Sequence, residues 1–295
     1  MGLSSTKLRN IKNENPITIW QITGDLGAGT YGKVHLVRHR QTGQKAAAKI
    51  AQIGASAQLS DFSTEVDILT SCRHDNITNF IDGYFNKPDL WIIIELCDGG
   101  SLGSLVDKTE AGFDEGYIAP IMHQMLKALV FLHAHFVIHR DINCANTLIT
   151  RHGTVKLADF GVSALGKSED QRRHTFVGSP HWMAPEVVAC ENDSSNAYNS
   201  RADIWSLGIT ALELAQRRPP HADLHPIKVL FKILSGPSPT LDASRGFSSS
   251  FHDFVASALV KKPTDRITAG ALSKHPFVSE QGDKGKLKTL VQSLV

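Results

Sequence analysis

Hydrophobic and polar positions divide the chain into two regions of different rhythm. From Ile19 to Ile53 the rhythm is strand-like: "TIWQITGDLG" runs into a glycine turn, "KVHLVRH" follows, "QTGQ" turns, and "KAAAKIA" resumes. Short runs bounded by such turns predict an antiparallel meander. Leu59, Phe62, Val66 and Leu69 then recur at spacings of three and four, one apolar face of a helix. Two more strands are predicted around "NITNFIDGYF" and "LWIIIEL", the second an uninterrupted apolar run suited to a buried strand.

After "CDGGS" the rhythm becomes helical. Tyr117 to Phe136 reads as a long amphipathic helix, with Pro120 in its first turn. "NTLIT", the turn "RHG" and "TVKLADF" read as a short hairpin, and beyond residue 185 the pattern is helical almost throughout. The expected fold class is α+β. It consists of a small antiparallel β-sheet plus one helix over residues 18–97 and a mainly α-helical region over 98–280, with a hinge near Glu95–Gly100. Residues 1–17 are polar and read as a flexible segment; residues 281–295 read as a short basic tail. A two-lobed arrangement leads one to expect a ligand cleft at the hinge.

Composition narrows the class. The 295 residues are 41% hydrophobic and 20% charged, enough to bury a sizeable core, and the formal net charge of +2 gives no field for nucleic acid. No apolar run reaches transmembrane length. Cys72, Cys97, Cys144 and Cys190 lack metal-ligand spacing and read as reduced thiols of a cytoplasmic protein. Met1-Gly2-Leu3-Ser4-Ser5-Thr6 fits the short N-myristoylation pattern, a loose match that many unmodified starts share.

Candidate chemistry lies in four places. Gly27, Gly29 and Gly32 have the G-x-G-x-x-G spacing that lets backbone amides approach phosphates. Such a motif is also a dinucleotide fingerprint or an ordinary hairpin, but the dinucleotide reading needs a helix after the glycines, and "KVHLVRH" resumes as strand. Lys49 in "AAAK" is either a solvated edge residue or a phosphate ligand held by an acid. Glu65, on the helix face of Phe62 and Leu69, is the acid available, since a carboxylate on an inward face needs a charged partner. In "VIHRDINCANTLI", Asp141 can accept a hydroxyl proton and Asn146 can coordinate Mg²⁺. Asp159 in "LADFG" offers a second oxygen ligand, and magnesium binds through few protein oxygens. Singly, Asp141 could be a turn aspartate and Asp159 a helix cap; all four features in order and at compatible spacing are hard to reach by chance.

"GAGTYGKV", "AAAK", "HRD" with Asn146, "DFG" and "APE" stand in the order of protein kinases, and the chain resembles that family over roughly residues 18–280. "GSPHWMAPEVV" and "RADIWSLGITALELAQ" resemble the sterile-twenty group, in its germinal-centre-kinase branch. Within that branch, "EVDILTSCRHDNI" and "LWIIIELCDGGS" resemble the sterile-twenty-like and lymphocyte-oriented kinases. The resemblance implies a serine/threonine protein kinase using ATP and Mg²⁺ on protein substrates. It implies a nucleotide site of Leu26, Gly27, Gly29, Gly32, Val34, Ala47, Lys49, Glu95, Cys97 and Leu148, with Ile94 as gatekeeper. It assigns catalysis to Asp141, Lys49 and Glu65, and metal to Asn146 and Asp159. His139, Phe160, Leu69 and Phe80 would form a regulatory spine. Residues 162–180 would be the activation segment, with Thr175 and Ser179 as phosphorylation positions and Arg140 receiving the phosphate. Glu186 and Arg266 match a buried ion pair, and Asp203 an aspartate bracing the catalytic loop. Family relatives also imply a homodimer through the activation segment.

One position departs from the family. Where kinases carry a lysine two residues after the catalytic aspartate, this chain has Asn143, and the arginine by which tyrosine kinases compensate is here Ala145. Losing one preorganised charge on the transferring group costs roughly 2–4 kcal/mol, or about 30- to 1000-fold in rate. Two readings therefore stay open: an active, slowed kinase, or a pseudokinase scaffold that binds nucleotide and partners without efficient transfer. On the first, Asn143→Lys raises turnover.

Overall fold

The computed structural model describes residues 10–29, 32–53, 62–166, 168, 173–192, 197–279 and 284–295. The Gly2 and Leu59 readings lie outside them. The chain forms two compact units: one holds the described residues up to Leu96 together with Asp159–Ser163, the other Cys97–Ala158 and Ala164 onward.

The first unit is a five-stranded antiparallel sheet with one helix. Its strands are β1 (Trp20–Gly29), β2 (Gly32–His39), β3 (Lys45–Gln52), β4 (Phe80–Asn86) and β5 (Asp89–Glu95), in the order β1-β2-β3-β5-β4. Register explains the alternation. Val34 opposes Lys49, which opposes Ile92; Leu36 opposes Ala47, which opposes Ile94. These residues share one face, because directly opposed side chains leave a sheet on the same side. The other face carries a core of Trp20, Val37, Ala46, Ala48, Tyr84, Trp91 and Ile93. Helix α1 (Ser63–Ser71) starts just after the buried Phe62 and buries Glu65, Val66, Ile68 and Leu69.

The N-terminal stretch expected to be flexible is tied down from residue 10 where it is described. The Lys12 N–H donates to the Gly83 carbonyl at 2.9 Å, the Lys12 carbonyl accepts from Phe85 at 2.8 Å, and its ammonium meets Asp82 at 2.6 Å. A single 3₁₀ turn, Pro16–Thr18, is capped by the Asn15 side chain.

The second unit is mainly helical. Helix α2 (Leu102–Val106) precedes α3 (Glu115–Ala134), whose Ile118, Ile121, Met122, Met125, Leu129 and Leu132 are buried at helical spacing. Helix α3 begins two residues before the expected start, so Pro120 sits in its second turn rather than its first. Short strands β6 (Val137–Ile138), β7 (Thr147–Ile149), β8 (Val155–Leu157) and β9 (Ala164–Leu165) pair as β6–β9 and β7–β8. Helices α4 (Pro185–Asn192), α5 (Arg201–Gln216), α6 (Pro226–Ser235), α7 (Ser249–Ala258), α8 (Ala269–Leu272), α9 (Pro276–Ser279) and α10 (Lys284–Leu294) complete it. Helix α5 is buried on every side from Ala202 to Ala215, as a central helix must be. The stretch read as a basic tail contains α10, which buries Leu287, Leu290 and Val291 and packs near α3. Among the described residues no helix is long and apolar enough to cross a membrane.

Candidate active site

The glycine motif joins two strands. Gly29 pairs with Gly32 across the β1–β2 hairpin, and no helix follows, which removes the dinucleotide fingerprint. Gly32 has a packing reason as well: a Cβ there would meet the Ile50 carbonyl oxygen at 2.1 Å. Leu26 is exposed on β1, while Val34 and Ala47 lie on the sheet face that carries Lys49.

Lys49 is no solvated edge residue. It is buried, and its ammonium donates to Glu65 Oε1 at 2.6 Å and to Asp159 Oδ1 at 2.9 Å. Burial alone would pull this ammonium's pKa down; the two carboxylates outweigh burial and hold it above the ordinary lysine value. Burial pushes the Glu65 carboxyl up, Lys49 pulls it back, and Asp159 adds to the rise. Glu65 Oε2 is buried without a hydrogen-bond partner among the described residues, so Lys49 is the group that makes an ionised Glu65 tolerable here. Asp159 adopts φ 59° and its Oδ1 also accepts the Gly161 N–H at 3.2 Å. Glu95, expected at the nucleotide edge, uses Oε1 to accept the backbone and side-chain N–H groups of Asn79 at 2.6 and 3.0 Å.

The second unit holds the other expected residues. Asp141 is fixed at both carboxylate oxygens: Oδ1 accepts the Ser179 N–H at 2.9 Å and Oδ2 accepts the Asn146 amide at 2.6 Å. The same amide donates to the Asp141 carbonyl at 3.0 Å. Both side-chain N–H groups of Asn146 are thus committed, which leaves its Oδ1 as the side chain's acceptor, a hard oxygen of the kind that Mg²⁺ takes. Gly178, at φ 119°, lets the segment before Ser179 run close to the loop that carries Arg140 and Asp141, since a Cβ there would meet the Arg140 carbonyl oxygen at 2.5 Å.

The loop is braced from beneath. Arg140 adopts φ 71°, a conformation that costs about 1–3 kcal/mol and needs enforcement by its surroundings. Asp203, in the first turn of α5 and fully buried, supplies it. Its carboxylate accepts the His139 N–H at 3.0 Å, the Arg140 N–H at 2.8 Å and a His133 ring nitrogen at 2.8 Å. Burial pushes this carboxyl up, but those hydrogen bonds and the neighbouring His133 and His139 hold it below the ordinary carboxylate value. His139 is buried, its ring donating to the Ala158 carbonyl at 3.0 Å; Leu69, Phe80 and Phe160 belong to the first unit. Arg266 grips Glu186 with both guanidinium ends, at 2.6 and 2.9 Å.

In the segment expected to be the activation segment, of which residues 167 and 169–172 lie outside the described residues, Thr175 is exposed. Arg140 donates to the Tyr198 hydroxyl at 3.3 Å, and that hydroxyl donates to the Thr175 carbonyl at 2.9 Å. Sequence reasoning passed over Tyr198. It also passed over Glu213 on α5, whose Oε2 accepts the Trp182 indole N–H at 2.9 Å and the Cys144 N–H at 3.2 Å. A lone acid inside the apolar run "GITALELAQ" was the available signal. Burial first, then Glu213, raises the Cys144 thiol well above its usual range, which keeps it an unreactive packing residue. Cys97 is buried, and its carbonyl accepts the Gly100 N–H at 3.2 Å. Leu148 is half-buried and bridges to Ser101.

Comparison with known proteins gives the same reading. The sequence profile described as "Protein kinase domain" matches residues 20–278. "Serine/threonine-protein kinase 10" of Danio rerio is 44% identical over 280 residues, 95% of this chain and 29% of that protein. Its Homo sapiens counterpart is 43% identical over 277 residues, 94% of this chain and 29% of that protein. "Serine/threonine-protein kinase 1" of Arabidopsis thaliana is 39% identical over 278 residues, 94% and 33% respectively. The chain therefore spans about a third or less of these curated relatives. They agree with the sterile-twenty resemblance drawn from the sequence. With a matched profile over most of its length, the chain belongs to the protein kinase domain family.

Proposed function

We propose that the chain transfers the γ-phosphate of ATP to serine and threonine hydroxyls of proteins. The observation that carries this reading is the double clamp on Asp141, Ser179 N–H on one oxygen and the Asn146 amide on the other. It aims a carboxylate whose part is to accept the hydroxyl proton. Lys49, kept charged by Glu65 and Asp159, would hold the α- and β-phosphates. Leu26, the glycines, Val34, Ala47, Leu148 and the backbone of Glu95 and Cys97 would hold the rest of the nucleotide. Asn146 and Asp159 would hold Mg²⁺, which when bound neutralises charge on the transferred group. Arg140 is placed in this reading to receive phosphate on Thr175 or Ser179, added in trans within a homodimer. Four buried cysteines outside any disulfide among the described residues suit a reducing cytoplasm.

Asn143 favours a second reading, a pseudokinase scaffold, because it removes one cation from the transfer machinery. Incubation with Mg-ATP and a generic basic protein separates them. The kinase reading expects phosphoserine and phosphothreonine in the acceptor, abolished by EDTA; nucleotide binding with no transfer at any enzyme concentration leaves the scaffold.

A further inference from the structure

Viewed as a missing lysine, Asn143 is only a loss. Its contacts show otherwise. Asn143 is 4% exposed, and its side-chain Oδ1 accepts the Asn146 backbone N–H at 2.8 Å. Its Nδ2 donates to the Asp141 carbonyl at 3.3 Å and reaches the Ser179 hydroxyl at 3.5 Å. Its backbone carbonyl accepts the Thr147 hydroxyl at 2.8 Å. One amide therefore touches each of the three residues that define the clamp on Asp141.

A lysine cannot reproduce this. An ammonium has three donors and no acceptor, so it could serve Asp141 and Ser179 but not the Asn146 backbone N–H. Its four-carbon stem would also have to leave a place filled by a short, buried amide. We propose that Asn143 is a positioning residue. It locks Asn146 in the orientation that turns Oδ1 to metal and Nδ2 to Asp141, and the loop of this chain is built around a neutral acceptor at that position. The inference rests on the proposed metal role of Asn146. It reverses the expectation that Asn143→Lys repairs the site.

The test compares wild type with Asn143→Ala, Asn143→Lys and Asn143→Ser. Serine keeps a short oxygen able to accept an N–H three residues on, without charge. Calorimetry reads the Mg²⁺ concentration giving half-maximal binding of a non-hydrolysable ATP analogue, with thermal melts confirming that each variant is folded. Orienting partners of metal ligands are worth about 10- to 100-fold in metal affinity. Ala and Lys should therefore raise the Mg²⁺ requirement by about tenfold or more, with Ser within about threefold of wild type. An unchanged or lowered Mg²⁺ requirement in Asn143→Lys, or Ser behaving like Ala, overturns the proposal. If the variants rank as expected while wild type transfers no phosphate, the inference stands and the catalytic reading falls. If wild type transfers phosphate and all four share one Mg²⁺ dependence, the catalytic reading stands and the inference falls. A wild-type chain that binds no Mg-nucleotide sinks both.

Discussion

Lys49 faces two buried carboxylates, Glu65 at 2.6 Å and Asp159 at 2.9 Å, so its two acid partners are not equivalent in what their loss exposes. Lys49→Met strands both acids. Breaking a buried pair from one side costs about 3–5 kcal/mol, and urea melts of this variant should show a loss of that order. Glu65→Gln leaves Lys49 paired with Asp159, and its melt should shift by less than half as much. An equal shift in the two would mean that Asp159 does not share the ammonium. Asp203 gives the pH-dependent case. Its folded pKa lies below the ordinary value of about 3.9, so it contributes stability above that value and loses it as pH falls through the folded pKa. Asp203→Asn should cost about 1–3 kcal/mol at pH 7, and the gap from wild type should close below about pH 4. A gap constant from pH 7 to pH 3 would deny that the carboxylate's charge matters. At this scale the sequence was informative where an acid stood on an apolar face, as Glu65 does. It was silent on Tyr198 and on the contacts of Asn143, because both arise from residues distant in the chain or from a loop conformation that no periodicity encodes.

Elements long enough to show a period were legible, and short ones were not. The meander of β1 to β3 and helices α3 and α5 stand out because alternation or three-and-four spacing persists over many residues. Strands β6 and β9, two residues each, and the five-residue α2 carry no period at all. Helix α10 was hidden for a different reason. Lysines at 284, 286 and 288 dominate "KGKLKTLVQSL" and masked the spacing of Leu287, Leu290 and Val291. Those three are 0%, 6% and 2% exposed. Leu287→Ala should therefore lower stability by about 2–5 kcal/mol in a denaturant titration, as for a core leucine. A change under about 0.5 kcal/mol, ordinary for a surface position, would return this segment to the status of a tail.

On the scale of the molecule, the segment Asp159–Ser163 belongs with the sheet unit although the chain on either side of it belongs with the helical one. Asp159 thereby joins Lys49 and Glu65, while Asp141, Asn146 and Ser179 are assembled within the helical unit. Motif order along the chain announced both sets, but the division of labour between units could not be read from order alone. The role proposed for Asp141 is to accept the hydroxyl proton as the γ-phosphate passes from ATP to a protein hydroxyl. The most direct measurement is the steady-state rate of γ-phosphate transfer from Mg-ATP to a basic protein, for wild type and Asp141→Asn, with nucleotide affinity measured in parallel. With Asp141 as that base, the rate of the Asn variant should be lower by about 10²- to 10⁴-fold with nucleotide affinity nearly unchanged. Equal rates in the two proteins would contradict it.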